Sequence, residues 1–74
     1  MHWSYQTRAG TFRIVFRDRR YLAMFDDEAL GSYATPGQGA DDLAGGHTFT
    51  PSNGINTASL GIPDNIHEWE YHGK

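Results

Sequence analysis

The chain has 74 residues, a formal net charge of -3, no cysteine, and an aromatic complement of two Trp, four Tyr and four Phe. That length points to one small domain hiding about 60% of its unfolded surface, and the missing cysteines exclude a disulfide staple and a thiolate zinc site. There is no apolar run of spanning length and no secretory-type start in MHWSYQTR, so a cytoplasmic protein without membrane contact is expected.

Taken from the N-terminus, residues 2–8 and 11–17 alternate in polarity with Ala9-Gly10 between them, and residues 20–25 form a third extended run after Asp18-Arg19. Turns centred on those dipeptides set Phe16 opposite Tyr21, Ile14 opposite Ala23 and Phe12 opposite Phe25. The same counting sets Tyr5 opposite Ile14 and Trp3 opposite Phe16. Side chains on a strand alternate between faces, so the rings share one face. The other face carries Arg13, Arg17 and Arg20 with Val15, Leu22 and Met24. Neither dipeptide is the Asn-Gly or Asp-Gly of a tight hairpin, but four-residue loops preserve the same facing.

Asp26-Asp27-Glu28 reads as a polar turn and Ala29–Tyr33 as a short fourth strand. Thr35-Pro36 then opens a helix, with threonine to accept from free amides and proline at the first helical position, and Gly45-Gly46 closes it. Ala40, Leu43 and Ala44 give this helix an apolar edge, while Gly37 and Gly39 each weaken it by about 1 kcal/mol relative to alanine. It needs the sheet. From His47 to Asn65 the chain lacks periodicity, and Phe49, Ile55, Leu60 and Ile62 are spaced to pin it to the body. Near the end, Asp64 can cap a helical turn in NIHEW that sets Ile66 and Trp69 on one side, followed by an extended tail. The alternative is a strand, HEWEY, aligning His67, Trp69 and Tyr71. The helical turn is favoured.

The expected fold is α+β: a three- to four-stranded antiparallel meander, one short helix packed on its aromatic face, and a long irregular C-terminal segment. It is expected as a single unit over residues 1–74, with strands in 1–34, helix in 35–46, and a loop-rich cover with its terminal turn in 47–74.

The segments DDEALGSYATPGQGADDLAGGHTF and GIPDNIHEWE resemble small bacterial proteins of no assigned activity. In those proteins an extended run ends in Gly-Ser-Tyr, a Ser/Thr-Pro helix start follows, and the chain closes on Trp-Glu. Three strands followed by a helix is also similar, in architecture alone, to AP2-type DNA-binding domains. Neither resemblance implies a functional residue here.

Charge is divided along the chain. Residues 1–25 hold Arg8, Arg13, Arg17, Arg19 and Arg20 against Asp18, a net +4, and residues 26–74 hold eight acids against Lys74, a net -7. Such a division concerns surfaces and partners, not fold. Three readings of the outer face of Arg13, Val15, Arg17, Arg20, Leu22 and Met24 stand side by side. It can be a solvated face whose arginines cover apolar neighbours and pair with the acidic half of the chain. It can be a protein-docking surface, since arginine around an apolar centre is characteristic of interfaces. It can bind nucleic acid through arginine–phosphate contacts, provided the acids lie elsewhere.

Catalytic and ligand signatures are weaker. His67 and His72, with Glu68 and Glu70 nearby, are five apart and leave a common face on either a helix or a strand, so no metal site is expected of them or of His2 and His47. Asp26-Asp27-Glu28 and Asp41-Asp42 do not form a ready acid–base dyad, because adjacent helical carboxylates diverge by about 100°. Ser4, Ser32, Ser52 and Ser59 lack an elbow motif. GQGADDLAGG has no following lysine, and its acids repel phosphate. Trp3 and Trp69 are assigned to the core. The expected function is therefore a non-catalytic interaction module without cofactor, metal or small-molecule substrate. Its outer face would meet a protein partner or a second copy, or alternatively a nucleic acid.

Overall fold

Alternation at period two is realised as an antiparallel sheet. A computed structural model describes residues 1–48 and 50–73. Its strands are β1 (His2–Thr7), β2 (Gly10–Arg17), β3 (Arg20–Phe25), β4 (Glu28–Tyr33) and β5 (Glu70–His72), in the spatial order β4-β3-β2-β1-β5. The α+β class is as expected, with five strands instead of three or four. The extra strand is the tail: β5 pairs antiparallel with β1, matching His2 to His72, Trp3 to Tyr71 and Ser4 to Glu70.

The β2–β3 pairing follows the expected register throughout, from Phe12 opposite Phe25 to Arg17 opposite Arg20. Asp18 and Arg19 both take positive φ (54° and 64°), the left-handed geometry a two-residue turn needs to match strand twist. The first hairpin differs by two residues, with Tyr5 opposite Phe12, Trp3 opposite Ile14 and Thr7 opposite Gly10. Its turn is Arg8-Ala9, not Ala9-Gly10. Thr7 closes it, with its hydroxyl donating to the Gly10 carbonyl at 2.8 Å and accepting from the Ala9 amide at 3.1 Å. Gly10 stays in the strand because the Phe25 ring lies over it: a Cβ there would meet Phe25 Cε1 at 2.9 Å. An even shift leaves every side chain on its expected face. In β4 the register slips between Ala23 and Met24, and the extra residue, Leu30, is buried at 1% exposure.

Helix α1 (Pro36–Gly45) begins and ends at the residues expected of it. Thr35 accepts from the Gln38 amide at 3.2 Å, and Gly46 caps the other end at φ 74°. Its buried face, Gly39, Ala40 and Leu43, presses on the sheet. The core gathers Phe12, Ile14, Ala23, Phe25, Leu30, Ala40, Leu43, Ile62 and Trp69. The irregular segment is pinned by Ile62 and, more loosely, by Leu60, while Ile55 is half-buried; Phe49 lies outside the described residues. A 3-10 turn at Thr57–Ser59 is capped by Asn56, and a second at Ile66–Glu68 supplies the helical turn expected in NIHEW. Its cap is Asn65, whose side chain accepts from the His67 amide at 3.0 Å, and not Asp64. Trp69 is core as expected, 5% exposed, with its indole N–H donating to the Pro63 carbonyl at 3.0 Å. Trp3 is half-buried against the same core. Among the described residues no helix is long and apolar enough to cross a membrane.

Candidate functional site

The helix, the irregular segment and Trp69 all gather on the aromatic face, and the opposite face of the sheet is left without a covering element among the described residues. Pairing fixes what that face displays. Arg13 stands between Ser4 and Met24, Val15 between His2 and Leu22, and Arg17 opposite Arg20. The six residues expected to share this face are thus brought together. Arg13, Arg17 and Arg20 are exposed, and Val15, Leu22 and Met24 are half-buried between them.

Among the described residues the arginines do not form ion pairs with the acidic half of the chain. Arg20 instead donates to the Ser32 hydroxyl at 2.9 Å and to its carbonyl at 3.0 Å. Arg8 donates to the Ser59 carbonyl at 3.2 Å. The acids are unevenly placed. Asp18 sits in the turn between Arg17 and Arg19, Asp41 and Asp42 on α1 line one cleft with Arg20, and Asp26 and Asp27 form the turn at the end away from Arg17 and Arg20. Glu28 is engaged by the Ser52 amide at 2.9 and 3.2 Å. Of the outward strand positions, Glu70 on β5 holds the sole carboxylate among the described residues.

Sequence reasoning missed a cluster at the margin of this face. His2 and His72 stack with ring centroids 4.3 Å apart and planes 6° from parallel. The Ser4 hydroxyl lies 2.9 Å from His72 Nε2, and Glu70 Oε1 lies 3.8 Å from the same nitrogen. These are the residue types of a hydrolytic triad but not its geometry. A triad acid orients its histidine from the ring nitrogen opposite the one that meets the serine, whereas here both partners address Nε2. The proton affinity of His2 is lowered, first by burial, then by His72, the Met1 amino group and Arg13. The polar-apolar alternation of Trp-Glu-Tyr-His was a legible strand signal, but its partner is the other end of the chain, which no local pattern names.

On the aromatic side, Phe16 is only partly used by the core. It is 41% exposed and sits against Tyr21 at 4.9 Å. Trp3 links Tyr21 at 6.0 Å to Tyr71 at 5.1 Å. A cleft of about 590 Å³ lies between Phe25–Glu28 and Ser52-Asn53. It combines three carboxylates with a serine, whose amide already engages the Glu28 carboxylate. A smaller cleft, of about 430 Å³, is lined in part by Arg20, Tyr33, Asp41 and Asp42. The Tyr33 phenol is pushed up to about 12 by burial and by the Asp42 carboxylate beside it.

Comparison with protein-family models, with curated proteins and with solved structures finds no match. The resemblances drawn from sequence patterns therefore contribute no residue roles, and the functional reading rests on the chain's own surface.

Proposed function

We propose that the protein is a non-catalytic interaction module whose outer sheet face docks an acidic protein segment. One observation carries this reading: Arg13, Arg17 and Arg20 surround an apolar centre of Val15, Leu22 and Met24 on a face without cover among the described residues, where Glu70 is the sole carboxylate at an outward strand position. Arginine around an apolar centre suits a protein partner, where stems and methyl groups supply contact area and guanidinium groups select carboxylates.

A second copy is a less favourable occupant of this face. A two-fold contact sets the same patch against itself, which opposes arginine to arginine. Nucleic acid is the second reading, favoured by Glu70 being the sole carboxylate at an outward strand position among the described residues. The outer strand positions carry no Phe, Tyr or Trp on which bases could stack, and three arginines replace few counterions.

The test is an amide-shift titration at low salt with a peptide of alternating Glu and Leu, run beside single-stranded and duplex DNA. Shifts from the peptide confined to residues 13–24 and absent from α1 are expected. Salt-sensitive shifts with DNA and none with the peptide would transfer the face to the nucleic-acid reading. Shifts confined to the helix side would discard the docking face altogether.

A further inference from the structure

We propose that β5 is an acid-released strap: protonation of the stacked His2–His72 pair frees residues 70–72 from β1 and makes the outer face more positive. The consequence for docking rests on the reading above, but the release is a property of the free protein.

The strap is weakly held by design of its length. It is three residues long and pairs with β1 alone, at the edge of the sheet. Besides backbone bonds it is held by side-chain contacts: His72 on His2 and Ser4, Tyr71 on Trp3, and the Tyr71 hydroxyl donating to Met1 Sδ at 3.9 Å. Neutral imidazoles stack face to face; two imidazolium rings with centroids 4.3 Å apart repel each other. His2 is faced by His72 from β5, by Arg13 from β2 and by the Met1 amino group, and His72 by Glu70. Glu70, 3.8 Å from His72 Nε2, can balance one added proton but not two. Arg13 and the amino group add to the repulsion.

His2 holds its proton less tightly in the fold than its ordinary value of 6.5, so the unfolded or undocked chain binds more protons below that value. Its contribution to docking is present above about pH 6.5 and is lost as pH falls. Release stops at Trp69, which is buried and bonded to the Pro63 carbonyl. Two changes then reach the outer face together. Glu70, the sole carboxylate at an outward strand position among the described residues, leaves with the strap, and His2, on the strand beside Arg13, gains charge.

The experiment follows amide shifts and hydrogen-exchange protection from about pH 8 to about pH 5. Protection of the Glu70 and His72 amides, the two that face β1, is expected to be lost as pH falls, in step with the His2 and His72 ring signals. The α1 amides should hold. A His2→Phe/His72→Phe variant keeps a stack that cannot charge and should stay docked across the range; His2→Gln alone should blunt the transition if the double variant fails to fold. A flat profile in the natural chain, or an unchanged transition in the variants, overturns the proposal. Adding the Glu-Leu peptide separates it from the docking reading. Release without peptide binding at either pH keeps the strap and removes the docking face, whereas binding without release does the reverse.

Discussion

Two glycines of α1, two residues apart, should respond to the same substitution in opposite directions. Gly37 follows Pro36 in the first turn, and a Cβ built there meets no atom within 4 Å. Gly37→Ala therefore only removes the backbone freedom of glycine, a gain of about 0.5–1 kcal/mol. For a domain of this size that raises Tm by about 2–8 °C. Gly39 is buried, and a Cβ there would lie 2.9 Å from Ile14 Cδ1 and 3.3 Å from Tyr33 Cδ2. Ile14 is 0% exposed and has no room to retreat, so the helix must lift from the sheet. Overpacking of this kind costs about 1–3 kcal/mol. Against a helix-propensity gain of about 1 kcal/mol, the balance is a loss of about 1 kcal/mol, or roughly 4–8 °C. Thermal and urea unfolding followed by circular dichroism, with unchanged m-values, measures both. If Gly39→Ala also raises Tm, the close approach of helix and sheet is wrong, and with it the assignment of which face is covered.

Arg17→Glu replaces a like-charged pair across the β2–β3 hairpin with an opposite one facing Arg20; it should stabilise the fold by about 0.2–1 kcal/mol while weakening the acidic peptide, so unfolding and titration should move in opposite senses. Trp69→Phe loses the indole bond to Pro63 and should cost about 0.5–1.5 kcal/mol in urea unfolding, whereas Trp69→Ala should cost about 3–5 kcal/mol and leave a large unfolded fraction. Tyr33, pushed up to about 12, keeps its proton in the fold when the unfolded chain has lost it. Stability should accordingly fall as pH rises from about 10 towards 12, and Tyr33→Phe should flatten that alkaline slope in chemical denaturation.

Period two and turn chemistry made most of the N-terminal half readable. The β2–β3 register, from Phe12–Phe25 to Arg17–Arg20, follows from placing one two-residue turn, and the facing of Arg13, Val15, Leu22 and Met24 survives even where the first hairpin slips by two. Thr35-Pro36 and Gly46 mark the ends of α1 because caps are local events between neighbouring residues. The placement of the first turn was less legible, since it depends on the Phe25 ring lying over Gly10, a contact between residues fifteen apart.

What the chain order alone decided is which residues lie on the same side of each strand and where the helix starts and stops, because these depend on bond geometry and on partners a few residues away. Only the tertiary structure decided that the tail returns to β1, that His72 comes to rest on His2, and that Asp41 and Asp42 come to one cleft with Arg20. Those facts are set by burial of Trp69 and Ile62 in a shared core, and burial is a property of the assembled surface that no short stretch of sequence contains.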